Sequence, residues 1–406
     1  MFIVTSSTLA VILCVVTMLC WGSWGNTQKL AGKSWRYELF YWDYIVGILL
    51  FSLVVGFTLG SNGEGGRAFL TDLCQLDGTR AGSAILGGII FNAANILLTA
   101  AVSISGLAIA WPIGLGIALV LGVFLNYILA PNGNPALLSL GVALVLGSVI
   151  CNGVASGKNS RSSGRGISKK GLTLTIVIGL LMGVFYPFVA YAMDLTSCTN
   201  PAAGMATPYS AFFLCALGAF LSNFVFNTIL MRRPISGEPV TYRQYFAGRP
   251  ATHMVGILGG CIWGLGTVLS YICSGKEANL GPAISYALGQ GSPMIAALWG
   301  IFIWKEFKGA NTAVRLLLVA MFAAFIIGRG LILGDILGLG IVILQQQTSF
   351  IRLDPANYYV DTAPMELNIP IIVALNVATL IISVFVLIAP SFLISHIHPA
   401  KAMHFE

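Results

Sequence analysis

The sequence predicts an all-α polytopic membrane protein of about ten transmembrane helices, folded as two inverted five-helix repeats. Three observations carry that reading. The chain is 57% hydrophobic and only 9% charged, far below the roughly 25% charged residues of a soluble domain. Apolar runs of about 18 to 24 residues recur along it, each long enough to cross a hydrocarbon core about 30 Å thick at 1.5 Å per residue. The chain also matches itself across an odd number of these runs. A soluble fold of this composition would need helices apolar on every face and almost no solvated surface.

Taken in order, the spans fall at 5–22, 39–60, 83–102, 107–129, 136–154, 172–193, 209–230, 252–273, 283–304 and 312–328. The stretch 369–394 is a candidate extra C-terminal helix, joined through 329–368, where Gln345, Gln346 and Gln347 and the segment Asp354 to Tyr359 read as loop. The N-terminal run has no basic n-region and no small-residue cleavage site, so it reads as the first span rather than a signal peptide.

The internal match is the most specific signal. Ile85, Gly87, Gly88 and Phe91 recur as Ile257, Gly259, Gly260 and Trp263, and Gly106, Trp111, Gly114 and Gly116 recur as Gly281, Tyr286, Gly289 and Gly291. The offsets, 172 and 175 residues, pair spans three and four with spans eight and nine. Five spans separate the partners, so equivalent helices enter from opposite faces. That is the inverted-repeat plan of secondary carriers, with a solute site expected near the midplane between repeats. The organisation that follows is a first repeat at 1–155, a basic cytoplasmic linker at 156–170, a second repeat at 171–333 and a C-terminal extension at 334–406. Many of the 47 glycines then serve close helix approach, because hydrocarbon gives helices no hydrophobic reason to associate. Pro112, Pro187 and Pro293 lie inside spans, as hinges, solute contacts or simple kinks.

The net charge of +7 reports orientation rather than nucleic-acid binding. If loops alternate sides, one side holds fourteen basic residues, among them Lys29, Arg36, Lys170, Arg233, Arg249 and Lys305, and the other holds Arg67, Arg80 and Lys276. The bias puts the fourteen in the cytoplasm and the N-terminus outside a cytoplasmic (inner) membrane. Six of the eight cysteines fall in spans, where a thiol acts as a small hydrophobe. Cys74 and Cys198 share the outer face and are read as two thiols or a disulfide.

An uncompensated polar group in hydrocarbon costs several kcal/mol, so polar side chains within spans must face a partner or a wet cavity. The candidates for solute binding are Trp24, Asn26, Asn92, Asn95, Trp111, Tyr186, Asn227, Trp263, Tyr271, Tyr286 and Gln290. Aromatic faces with amide and hydroxyl groups suit a small neutral polar solute. Trp21, Trp24, Tyr41 and Trp42 read equally well as an interfacial aromatic belt. Asp43, one turn inside the second span, is the candidate proton-coupling carboxylate, or else a salt-bridge partner of Lys29 or Arg36. Glu306, between Lys305 and Lys308, is a candidate gate or interfacial ion-pair residue. His253, His396, His398 and His404 lack metal-site spacing, and no phosphate-binding loop is present, so the chain predicts no cofactor, no metal and no enzyme activity.

Trp21, Gly22, Ser23 and Trp24, followed by Tyr41, Trp42, Asp43 and Tyr44, together with Asn126, Tyr127 and the close Trp304, Lys305, Glu306, Phe307, resemble the ureide permease family. Gly183, Phe185, Tyr191 and Met193 also look like the bacterial rhamnose and glucose/ribose porters; both groups belong to the drug/metabolite transporter superfamily. The likeness covers roughly residues 8 to 333. It implies a ten-helix carrier that uses protons as coupling ion to move sugars, or ureides and nucleobases. The linker is shorter than the central loop expected of plant ureide permeases, which favours a bacterial member. The expected mechanism is alternating access by rocking one repeat against the other. The rivals are a drug or metabolite exporter of the same superfamily and, outside it, a membrane enzyme or non-transporting sensor.

Overall fold

The structure, a computed structural model, describes residues 1–328 apart from 33–34, 64, 106, 130–134, 163–168, 236, 279–280, 306 and 309. Glu306 and the candidate helix at 369–394 therefore lie outside the described residues. Within them the chain is all-helical, with no strand beyond an isolated bridge between Met193 and Ala206.

Each of the ten predicted spans corresponds to a helix. The first is α1 (Ser7–Ser23), which runs through Trp24 into the short α2 (Gly25–Leu30). The second is α3 (Tyr37–Phe57), followed by the surface turn α4 (Phe69–Gln75). Then come α5 (Gly78–Ser105), α6 (Leu107–Leu129), α7 (Pro135–Ser162), α8 (Lys169–Ala192) and α9 (Pro208–Arg232). The short α10 (Tyr242–Phe246) precedes α11 (Pro250–Ile272). The ninth span is broken into α12 (Gly281–Gly289), α13 (Ser292–Leu298) and a π-helical turn (Trp299–Ile303), and α14 (Thr312–Gly328) closes the described chain. Among the described residues seven helices are long and apolar enough to cross a membrane, and three shorter apolar stretches (Gly114–Ile128, Ser139–Ala155, Thr312–Gly328) accompany them. The chain is a multi-pass membrane protein.

Three departures from the sequence reading have local causes. α7 continues to Ser162, into the segment read as linker, because nothing between 156 and 162 forbids a helix. α1 is prolonged inward past Gly22 because its polar residues bond to nearby carbonyls: Asn26 Nδ2 donates to the Ser23 carbonyl at 2.9 Å and Thr27 Oγ1 to that of Trp24 at 2.7 Å. The ninth span breaks at Gln290 and Gly291. Pro293 then occupies the first turn of α13, where its missing N–H costs no hydrogen bond.

The chain divides into two compact units, Met1–Asn132 with Val149–Val314, and Gly133–Ser148 with Arg315–Glu406. In the second unit, Gly328 lies against the Gly141 carbonyl, Leu144 and Val145. In the first, α3 packs along α11 and α5 along α9 so closely that backbones touch. A Cβ at Gly47 would strike the Ile257 carbonyl, and one at Gly260 the carbonyl of Tyr44. A Cβ at Gly88 would strike the Cys215 carbonyl, and one at Gly218 that of Ile85. The two sets of positions differ by 171 or 172 residues. α1 packs on α11, α12 and α13, while α8 packs on α5 and α6.

Candidate functional site

Where α1, α5, α6, α8, α11 and the break in the ninth span converge there is a cavity. Its lining is Trp21, Trp24, Phe91, Asn95, Leu98, Leu115, Met182, Phe185, Trp263, Gln290 and Ser292. Trp263 stacks on Phe91 with centroids 4.2 Å apart, Trp21 Nε1 donates to Thr267 Oγ1 at 3.2 Å, and Trp24 leans on Tyr44 at 4.6 Å. The centres of water-sized molecules can reach about 40 Å³ of it, room for about three waters. No lining residue is ionisable. Two of its polar atoms are buried without a hydrogen-bond partner in the protein, Asn95 Nδ2 and Gln290 Oε1. Asn95 and Gln290 are 1% and 6% exposed, so an orphaned atom on either carries the desolvation penalty of a buried polar group, about 1–3 kcal/mol, until something in the cavity bonds it. The cavity thus offers one amide donor and one amide acceptor between indole faces.

Of the eleven residues singled out for solute binding, Trp24, Asn95, Trp263 and Gln290 line this cavity. Tyr186, Tyr271 and Tyr286 do not; they pack on one another as an aromatic plug beside it, Tyr186 following the lining residue Phe185 directly. Tyr186 and Tyr286 stack at 5.5 Å, Tyr186 and Tyr271 sit 5.3 Å apart, and the Tyr186 and Ser274 hydroxyls are 2.5 Å apart. Asn92, Asn26 and Asn227 join helices: Asn92 accepts from Tyr41 Oη at 3.0 Å and donates to Ser222 at 2.9 Å, Asn26 accepts from Trp304 Nε1 at 2.6 Å, and Asn227 donates to the Glu38 carbonyl at 2.9 Å. The side chain of Trp111 lies outside the described residues. Phe91 and Phe185 were not anticipated. The internal repeat could have flagged Phe91, whose equivalent is Trp263.

Asp43 is 1% exposed and bonded to neither Lys29 nor Arg36. Its Oδ1 lies 2.7 Å from His253 Nδ1 and accepts from Tyr245 Oη at 2.7 Å, and its Oδ2 accepts from Trp35 Nε1 at 3.3 Å. Three elements supply these partners: the approach to α3, the strap α10 and the first turn of α11. Thr241 fixes the strap through a capping box with Gln244, and Pro250 opens α11. Gly256 gives the carboxylate room, since a Cβ there would meet the Asp43 side chain. Burial, and then the Asp43 carboxylate, push the Tyr245 phenol up, which keeps it a donor. Arg36 is held by Glu38 at 2.5 Å and by the Glu238 carbonyl, and the Lys29 ammonium lies 4.8 Å from the Trp304 ring centre. In the sequence His253 drew notice only as a failed metal ligand.

At the other end of the helices the loops are sewn together. The N-terminal ammonium donates to the Gly65 carbonyl at 2.6 Å. Arg67 pairs with Asp72 at 2.8 Å and donates to the carbonyls of Pro201, Ala202 and Met205. Asp194 accepts from the N–H groups of Ala202, Thr196 and Ser197, and Glu277 from Thr199. Cys74 and Cys198 are separate thiols. Burial, with Glu277 and Asp194 nearby, pushes the Cys198 thiol up to about 12.

A family model described as Ureide permease matches residues 165–335. Over its length the chain is similar to Ureide permease 1 of Arabidopsis thaliana, 22% identical over 389 residues that cover 82% of this chain and 99% of the relative. Ureide permease 5 of the same plant is 23% identical over 400 residues, covering 82% and 96%. Transmembrane protein 144 homolog B of Dictyostelium discoideum is 29% identical over 162 residues, 39% of each chain. Among solved structures, a crystal structure of a protein 15% identical in sequence superimposes with a TM-score of 0.51 over 80% of this chain and 96% of that one, a likeness of fold. The chain is thus a multi-pass membrane protein that resembles the ureide permeases along most of its length, with the family model itself matching residues 165–335.

Proposed function

We propose that the protein is a secondary active transporter that carries a small neutral polar solute of ureide or nucleobase type, with sugars as the alternative class, across the cytoplasmic membrane. The single observation behind this reading is the pair of orphaned amide atoms, Asn95 Nδ2 and Gln290 Oε1, in an uncharged cavity walled by Trp21, Trp24 and Trp263. A solute with a carbonyl and an N–H answers both atoms, and its flat face suits the indoles. The similarity to proteins named ureide permeases supports the same class. The break at Gln290 and Gly291, which lies on the cavity wall, supports a carrier, since discontinuous spans form solute sites, while its repeat partner α6 runs on unbroken.

The transport cycle is alternating access by proton symport, with the basic loops cytoplasmic and the N-terminus outside. The reciprocal glycine contacts at offsets of 171 and 172 residues are the trace that two equivalent repeats would leave. The packing favours moving bodies that cut across the repeats: α1, α3, α11, α12 and α13 on one side, α5, α6, α8 and α9 on the other. A cavity with room for about three waters loads its solute only when these bodies part. Export of amphipathic drugs, the rival within the superfamily, calls for a wide acid-lined cavity, and this lining carries no acid.

The test is uptake of labelled allantoin, uracil and a panel of sugars into proteoliposomes, with and without an imposed pH gradient. Accumulation of one of them is expected. Gln290→Ala and Asn95→Leu should each raise its KM by about 5- to 150-fold, the loss of one buried hydrogen bond worth about 1–3 kcal/mol. Drug efflux without accumulation of any panel member would overturn the reading.

A further inference from the structure

We infer that Asp43 and His253 form a proton-binding clasp, and that the coupling proton is held on the His253 imidazole, with Asp43 as the fixed counter-charge. The inference rests on the carrier reading for its role in transport, though not for its chemistry. Asp43 Oδ1 already faces both His253 Nδ1 and Tyr245 Oη at 2.7 Å, so a proton placed on that oxygen would have to displace one of them. His253 Nδ1 faces the carboxylate, which fixes this nitrogen as the N–H and leaves Nε2 as the free base. The His253 side chain is 22% exposed where that of Asp43 is 1% exposed, so solvent reaches the imidazole and not the carboxylate. Nε2 takes a proton from hydronium, releasing water, and a neutral imidazole facing a carboxylate, net charge −1, becomes imidazolium facing carboxylate at 2.7 Å, net charge zero.

The groups that face the clasp come from the elements packed on it: Tyr245 from α10 and Trp35 from the approach to α3 both donate to Asp43, while Arg36, beside Trp35 in the chain, is engaged by Glu38. Tyr245 stays protonated and donates. Imidazole is the side chain whose ordinary titration falls between pH 5 and 8. Protonation therefore adds an ion pair between α3 and α11 where the strap crosses them.

Trp35 supplies an internal reporter, since its Nε1 donates to Asp43 Oδ2 and its ring stands edge-on to His253 at 5.0 Å. In purified protein, tryptophan emission should show a step with a midpoint between pH 5 and 8 that disappears in Trp35→Phe, in Asp43→Asn and in His253→Asn. Asparagine at 253 keeps a neutral donor and removes the titration. In proteoliposomes, His253→Asn should lose at least tenfold of pH-gradient-driven accumulation while solute counterflow stays within threefold of the parent. A step that survives in His253→Asn, or driven accumulation that survives there, overturns the inference. So does equal loss of counterflow and accumulation in both His253→Asn and Tyr245→Phe, which would make the clasp structural only. If the parent protein exchanges no member of the panel, the carrier reading fails, and the emission step alone then decides whether the clasp binds the proton.

Discussion

The two ends of the helical bundle are closed by different chemistry. At the Arg67 end, a guanidinium, the N-terminal ammonium and two aspartates hold main-chain atoms of neighbouring loops. Most of these contacts run to main-chain carbonyl and N–H groups, which do not titrate, so they tie loop to loop directly. At the Asp43 end a buried carboxylate meets an imidazole, a phenol and an indole, and few main-chain groups take part. One end is built to stay as it is, and the other is built around a group that can change its charge near neutrality.

The largest effect is expected from breaking the static end. Arg67→Ala leaves Asp72, which is fully buried, without its ion-pair partner and removes a donor from the carbonyls of Pro201, Ala202 and Met205, of which Ala202 keeps the Met205 N–H and Met205 keeps Gln75. Removal of one member of a buried pair costs about 3–5 kcal/mol. Thermal unfolding in detergent should show the lowest Tm of any variant at this end. A Tm unchanged from the parent would mean that these loops do not hold the bundle closed.

At the other end, Tyr245→Phe removes one donor to the Asp43 carboxylate. A hydrogen bond to a charged group is worth about 1.5–3 kcal/mol, so the fluorescence step should shift in pH with its amplitude retained and Tm should fall less than in Arg67→Ala. Loss of the step altogether would tie proton binding to the strap rather than to the imidazole.

The smallest effect separates the ends by pH alone. At Asp194, burial opposes ionisation, but the N–H groups of Ala202, Thr196 and Ser197 and the Thr196 hydroxyl outweigh it and hold the carboxyl below its usual range. At Asp77, N–H groups of Arg80 and Thr79 and the Thr79 side chain do the same. A carboxyl whose pKa is lowered on folding adds stability above its unfolded value, about 3.9, and loses it as pH falls through the folded one. The share of Tm that these two carboxylates supply should therefore be flat from pH 8 to about pH 5 and fall below about pH 4, and Asp194→Asn should flatten that acid limb. A loss of Tm between pH 5 and 8 that persists in His253→Asn would place titrating groups at the static end.

The sequence reading reached furthest where one helix suffices. Hydropathy located every described helix long enough to span a membrane, and the internal match singled out Gly88 and Gly260, which sit at the tightest seams. It reached less far where partners come from distant segments. His253 lies 210 residues from Asp43, and no local pattern joins a histidine after one loop to a carboxylate after another. Tyr186, Tyr271 and Tyr286 carry the same residue type as a stacking wall, and only their mutual packing makes them a plug instead. The break in the ninth span left traces in Gly289, Gln290, Gly291 and Pro293 and in the lowest hydropathy of the seven spans, but an average over the length of a span runs straight across a two-residue interruption.

The glycine seams bear on how the chain is made. α3 meets its backbone partner in α11, and α5 meets its partner in α9, so neither early helix finds its closest neighbour until the ribosome has delivered much of the second half. A chain arrested after α7 leaves Gly47 and Gly88 against lipid, a substrate for membrane quality control. Two separately encoded halves, by contrast, have complementary grooves waiting for each other, and should assemble when made together.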